Sequence, residues 1–176
     1  MCTIGLKKTT EIRQLNYHIL ELDELYWYVS HKRPAEVRQN VYIMTAVASR
    51  PRQIAGFDVA FDKTAERIQA MIDRAPPAKV YCTDHYSAYA DVSYFGEHVQ
   101  GKRDTFTVES VNADLRHYIP LLARRSRCFP RSLETLQAVI EVFVEAYNRF
   151  GVAKARFRRG RDPKSRELPF SVLDFL

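Results

Sequence analysis

The chain has 176 residues, of which 46% are hydrophobic and 27% are charged, so it suits one globular domain with a substantial core and excludes a disordered polymer. Its formal net charge of +6 favours polyanionic partners, although the excess is modest for a nucleic-acid binder.

The cysteine pattern and the hydropathy further restrict the class of protein. Cys2, Cys82 and Cys128 are scattered and form no CxxC pair, which argues against a zinc site or a disulfide framework and for a reducing compartment. No run approaches 18 apolar residues, and the N-terminus lacks the hydrophobic region of a signal peptide. We therefore expect a cytoplasmic protein with no membrane partner.

Apolar alternation, helical spacing and proline stops divide the chain into elements. In chain order the predicted elements are a lead-in segment at 1–20, strands at 21–29, 40–48 and 53–61, a helix at 64–73, a strand at 79–84, a short helix or turn at 85–94, a strand at 97–103, helices at 108–122 and 133–149, and a basic tail at 151–176. We expect Pro120 to kink the first of the two long helices, Ser132 to cap the second and Gly151 to end it. This order predicts an α/β fold with a mixed five-stranded sheet flanked by helices and a helical C-terminal third.

Three acidic residues interrupt the apolar pattern. Strand alternation places Asp23 on one side with the large apolar residues that follow it, Asp84 closes a buried strand, and Glu109 opens a helix between Val108 and Val111. A charge on an apolar face is costly unless it is paired or binds a metal. Taken singly, each acid also fits an ordinary role as a strand-edge residue, a helix cap or a partner of the helix dipole.

Together the three carboxylates could make one site for hard cations. Oxygen ligands suit Mg²⁺ or Mn²⁺, and two such ions about 4 Å apart clamp the attacking and leaving oxygens of a phosphodiester. No cluster of histidine or cysteine competes as a metal centre.

Two basic clusters favour phosphate contacts, although each alone would fit a solvated surface. They are 154–166, with seven basic residues against one acid, and the set Arg124, Arg125, Arg127 and Arg131.

The order of elements and acids is similar to a ribonuclease-H-like fold, and the finer motifs resemble the catalytic domain of IS1-family insertion-sequence transposases over roughly residues 20–150. The matching segments are 21–25 (ELDEL), 83–89 (TDHYSAY), 101–103 (GKR), 105–112 (TFTVESVN) and 122–126 (LARRS). The resemblance implies a DDE-type recombinase in which Asp23, Asp84 and Glu109 hold two Mg²⁺ or Mn²⁺ ions. The implied reactions are hydrolysis at the transposon end and attack by the freed 3′-hydroxyl on target DNA.

The resemblance also suggests which residues contact DNA. Asn112 and Arg116, one and two turns after Glu109, are expected to orient that carboxylate or to contact a phosphate. Lys102 and Arg103 are expected near the scissile strand, and the basic pattern adds Arg124 and Arg125 to the expected DNA-binding residues. Because two transposon ends must be held together, we expect a homodimer or a higher assembly on double-stranded DNA.

The domain boundaries follow from the same match. Residues 21–150 are expected to form the catalytic domain, between the lead-in segment and the basic tail. Family members carry an N-terminal zinc-finger and helix-turn-helix portion, whereas this chain starts about 20 residues before Asp23, so we expect end recognition to be supplied separately or lost. Two other functions fit the sequence: a non-catalytic or truncated DNA-binding relative that acts as a regulator, and a cellular nuclease of the same fold.

Overall fold

The structure is a computed structural model that describes residues 17–29, 39–101, 105–122 and 130–159, with backbone alone for residues 150–159. The elements are β1 (Tyr17–Val29), β2 (Gln39–Ala48), β3 (Gln53–Ala60), α1 (Ala65–Arg74), β4 (Ala78–Thr83), a 3-10 turn (Ser87–Asp91), β5 (Glu97–Gln100), α2 (Phe106–Tyr118), a second 3-10 turn (Pro120–Leu122) and α3 (Leu133–Arg159).

The strands form one mixed sheet in the order β3-β2-β1-β4-β5. β1, β2 and β3 are a consecutive antiparallel meander, whereas β4 lies parallel to β1 and β5 lies parallel to β4. β2 and β3 therefore form a hairpin, and α1 connects β3 to β4. In the register, Glu21 lies opposite Cys82 of β4, and Asp23 lies opposite Thr45 of β2. The five-stranded sheet with flanking helices confirms the predicted α/β, ribonuclease-H-like fold.

β1 is the central strand and is buried on both faces. Leu20 and Leu22 pack with the apolar side of α1, whereas Leu25 and Trp27 face the opposite layer of α2 and α3. The side chain of Leu22 is 0% exposed and that of Leu25 is 1% exposed. An acidic residue anywhere in the middle of β1 therefore lies against an apolar layer, whichever way it points.

Two predictions about the helices are wrong. α2 does not kink at Pro120: it ends at Tyr118, and Ile119 is extended, because a proline disfavours the helical conformation of the residue before it. α3 does not end at Gly151 but continues to Arg159. A glycine inside a helix costs about 1 kcal/mol relative to alanine, which weakens the helix without stopping it.

Helix α3 begins as predicted and is fastened to the outer strand β3. The Ser132 hydroxyl accepts a hydrogen bond from the backbone N–H of Thr135 at 3.3 Å, which confirms the predicted cap. Near the other end, the Asn148 side chain accepts a bond from the N–H of Ile54 at 2.8 Å and donates one to its carbonyl oxygen at 2.9 Å. An amide side chain thus satisfies both backbone groups of an edge residue.

Within the described ranges, no helix combines the length and apolar character that crossing a membrane requires.

Candidate active site

Asp23 and Asp84 lie at neighbouring positions in the middle of the sheet. Glu21 pairs with Cys82 across the parallel strands β1 and β4, Asp84 comes two residues after Cys82, and its charge acts on the carboxylate of Asp23. Asp84 follows the last residue of β4, and its Oδ1 accepts a hydrogen bond from the N–H of Tyr86 at 2.9 Å. The parallel pairing of the two strands therefore brings together acids that are 61 positions apart in the sequence.

Helix α2 is bonded to Asp23 through a chain of buried polar groups. Asn112 donates from Nδ2 to Oδ2 of Asp23 at 2.9 Å, and its Oδ1 accepts a bond from the hydroxyl of Thr45 at 3.0 Å. Thr45 is 0% exposed and Asn112 is 5% exposed. The amide of Asn112 is therefore fixed in one orientation, and it holds the carboxylate of Asp23 in turn.

Glu109 lies on α2 one turn before Asn112, close to the face of the helix that meets Asp23. Its side chain is exposed, while the flanking Val108 and Val111 are fully buried, as the sequence predicts. Within the described residues, no group of three or more His, Cys, Asp or Glu side chains lies close enough together to hold a metal ion. Two of the three predicted carboxylates are thus neighbours, and the third stands at the adjoining helix.

The carboxyl of Asp23 is held in an unfavourable electrostatic environment. Its pKa is raised to about 6, chiefly by burial and also by the nearby charges of Glu24 and Asp84, against the opposing effect of hydrogen bonds from Asn112 and from the backbone of Glu24. A carboxyl that is buried beside other carboxyls favours either a proton or a cation. With oxygen atoms as the donors, the cations that fit are hard ones such as Mg²⁺ and Mn²⁺.

A second acid of β1, Glu24, lies on the opposite face of the sheet and was not predicted. Its carboxylate accepts a bond from the Tyr89 hydroxyl and another from Lys63 Nζ at 3.0 Å. The Lys63 ammonium also lies 3.7 Å from the centre of the Tyr86 ring. Burial and the adjacent Glu24 raise the pKa of Tyr89, which therefore stays protonated and donates. These contacts fasten the segment after Asp84 to β1.

Glu21 is the third acid of β1 and was also missed. It is 5% exposed, and its carboxylate accepts two backbone bonds from the first turn of α2. The signal for it was present in the sequence, because alternation puts Glu21 and Asp23 on the same face of the strand.

The remaining predicted residues are only partly described. Arg116 is partly buried on α2, two turns beyond Glu109. Four predicted DNA-binding residues, Lys102, Arg103, Arg124 and Arg125, lie outside the described residues, as does most of the basic tail.

Comparison with known proteins decides the family. Residues 18–150 match the sequence profile of the family described as IS1 transposase. The chain belongs to the IS1 transposase family. A curated relative, the insertion element iso-IS1n protein InsB of Shigella dysenteriae, is 28% identical over 131 residues, which make up 73% of this chain and 95% of that protein.

Membership of the IS1 transposase family confirms the resemblance found in the sequence and sets the general function, which is DNA transposition. IS1 transposases act on DNA, so DNA is the class of partner. The match spans β1 to β5, α2 and most of α3, and it therefore includes Asp23, Asp84 and Glu109.

Proposed function

We propose that this protein is the strand-cleaving and strand-joining part of a transposase, with Asp23, Asp84 and Glu109 as its catalytic carboxylates. One observation supports this most: the carboxylate of Asp84, just after β4, acts electrostatically on that of Asp23 in β1, and α2, which carries Glu109, is bonded to Asp23 through Asn112. Family membership gives the general function, DNA transposition, and this arrangement suggests where in the chain the chemistry takes place.

Two Mg²⁺ or Mn²⁺ ions, when bound, would activate the attacking oxygen and stabilise the leaving oxygen of a phosphodiester. Asp23 and Asp84 would hold them from the sheet, and Glu109 would contribute after turning its exposed side chain inward. Asn112 keeps the Asp23 carboxylate in one orientation while that happens. Burial of Asp23 lowers the local dielectric and strengthens its interaction with a cation.

DNA binding is proposed to rest on the basic residues that flank the site in sequence. Lys102 and Arg103 lie just before α2, and Arg124 and Arg125 come after it. Cations on both sides of Glu109 would neutralise the phosphates of the strand being cut. Because transposition joins two ends, we propose that the active form on DNA is at least a homodimer, which light scattering of the protein–DNA complex would measure.

The test is nicking of supercoiled plasmid DNA in Mn²⁺, with strand transfer of an oligonucleotide carrying a free 3′-hydroxyl as the second readout. Asp23→Asn, Asp84→Asn and Glu109→Gln should each reduce the nicking rate by more than about 100-fold. Loss of a group that only orients a metal ligand typically costs 10–100-fold, and loss of a ligand itself should cost more. Glu141→Gln, an exposed acid on α3, is the matched control and should stay active.

Three results would contradict the proposal. Full nicking in EDTA would exclude a metal-dependent reaction. DNA binding without turnover in any metal would indicate the non-catalytic regulator. Strong preference for RNA–DNA hybrids over duplex DNA would indicate a cellular nuclease, because recognition of RNA relies on the 2′-hydroxyl.

A further inference from the structure

The carboxylate of Glu21 joins three elements around the site. Its Oε2 accepts hydrogen bonds from the backbone N–H groups of Thr107 at 2.6 Å and Val108 at 2.8 Å. Its Oε1 accepts a bond from the Ser49 hydroxyl, just after β2, at 2.5 Å. A nearly buried anion with three donors is well satisfied without a basic partner.

These bonds supply the N-terminal cap of α2 from a strand more than eighty positions away. The first N–H groups of a helix have no partner within it and carry a partial positive charge. Thr105, in the capping position, makes no side-chain capping bond to the helix. Glu21 takes over two of those N–H groups and places a negative charge where the helix dipole favours it.

Glu109 therefore lies between two points at which α2 is fixed to β1. On one side Glu21 holds Thr107 and Val108, and on the other Asp23 accepts the bond from Asn112. Glu21 and Asp23 are two residues apart on one face of one strand. A rotation or shift of α2 would break at least one of these fixed points, so β1 sets both the position and the angle of the helix.

We propose that Glu21 is a positioning residue for catalysis: it holds α2 at the depth and rotation that Glu109 needs to join Asp23 and Asp84. This inference rests on the proposed function. Both Glu21 oxygens are already engaged by N–H and hydroxyl donors, so its role is to orient rather than to bind a metal. The carboxylate acts on Glu109 through the backbone of the helix.

Three variants of the whole chain separate this role from plain stability. Glu21→Ala removes all three bonds, and Glu21→Gln keeps an oxygen that accepts from the helix. Asn148→Ala is the control, because it removes two hydrogen bonds that join α3 to Ile54 of β3 and leaves all three Glu21 bonds in place. Urea unfolding first establishes how far each variant is destabilised, and nicking is then compared at temperatures of equal folded fraction.

We expect Glu21→Ala to lower the plasmid nicking rate at saturating DNA by about 10–100-fold and to raise the Mn²⁺ concentration for half-maximal rate by about 10-fold. Glu21→Gln should recover most of the rate, and Asn148→Ala should stay near the wild type. DNA affinity should not change in any of them. If Glu21→Ala and Asn148→Ala lose activity equally at equal folded fraction, the positioning role is wrong.

Hydrogen exchange gives a readout that does not depend on catalysis. Amide protons of Thr107 and Val108 should exchange faster in Glu21→Ala than in Asn148→Ala, and unchanged exchange would overturn the proposal. If the wild type fails to nick DNA in any metal, the proposed function fails, while this measurement still decides whether Glu21 holds α2.

Discussion

Replacing Asp23 with asparagine should make the metal-free protein more stable at pH 8 while abolishing its activity. The Asp23 carboxyl is buried beside Glu24 and Asp84, which raises its pKa to about 6 from an ordinary value of 3.8. Asparagine has nearly the same shape, keeps an oxygen for the bond from Asn112 and carries no charge. The substitution therefore removes the electrostatic cost and leaves the packing in place.

The size and the sign of the change in the free energy of unfolding follow from the raised pKa of Asp23. Each pKa unit corresponds to about 1.4 kcal/mol, so a rise to about 6 sets an upper limit of about 3 kcal/mol. Asp23 keeps some contact with solvent, so we expect about 1–2 kcal/mol, or roughly 2–8 °C in Tm. The folded protein binds the proton more tightly than the unfolded chain. The wild type thus loses stability as pH rises from 3.8 towards 6, and the advantage of the variant is complete only above that window.

The assay is urea unfolding in EDTA at pH 8 and at pH 4, with tryptophan fluorescence as the signal. Trp27 is the only tryptophan of the chain and is 4% exposed, so its emission reports on the β1 core. Glu109→Gln is the control, since an exposed acid should change stability by less than about 0.5 kcal/mol. Adding Mn²⁺ should stabilise the wild type by about 2.7 kcal/mol at one hundred times its Kd and should stabilise Asp23→Asn far less.

The reasoning fails if Asp23→Asn is no more stable than the wild type at pH 8. It also fails if the difference between the two proteins is the same at pH 4, because protonation of the wild-type carboxyl should remove most of it. An equal Mn²⁺ effect on both proteins would show that Asp23 does not contribute to metal binding.

Three further predictions test the surroundings of the site. Asn112→Ala should weaken Mn²⁺ binding by about 10-fold in calorimetry, since it frees the Asp23 carboxylate from its fixed orientation; unchanged binding would contradict that role. Lys63→Met should destabilise the protein by about 1–3 kcal/mol in urea unfolding, because it leaves the Glu24 carboxylate buried without its cation. Adding Glu24→Gln should restore part of that loss, and a purely additive double variant would argue against the pairing. Arg124→Ala and Arg125→Ala should each reduce the slope of log Kd for DNA against log salt by about one, whereas an unchanged slope would mean that neither contacts a phosphate.

The sequence predicts the sheet well because the segment that forms β2 is apolar on both faces, which is typical of an interior strand, and because apolar alternation marks β1 and β3. The face of Asp23 is also correct, since alternation needs no tertiary information. β1 starts earlier than the apolar pattern suggests: it begins at Tyr17, whose N–H bonds to the carbonyl oxygen of Pro77. That extension depends on a partner strand 60 positions away, and the local pattern does not contain it.

The candidate site is predictable in its charged residues and not in their partners. Asp23, Glu21 and Glu24 all break an apolar pattern, and the same rule that finds the first applies to the other two. What each acid holds could not be read from the sequence, because Lys63 and the first turn of α2 reach β1 only in the folded chain. The end of α2 before Pro120 could have been predicted from the local sequence, since the residue before a proline is a common end of a helix.

The placement of acids on both faces of β1 has a consequence for how the sheet pairs. Side chains alternate between the faces, so a slip of one residue would turn Glu21 and Asp23 towards α1 and Glu24 towards α2. All three charges would then be buried without their donors, at a cost of several kcal/mol each. A purely apolar strand would tolerate such a slip far better. The three acids of β1 thus also destabilise a sheet with the wrong register. A chain that paired in that register would lose both its fold and its candidate active site.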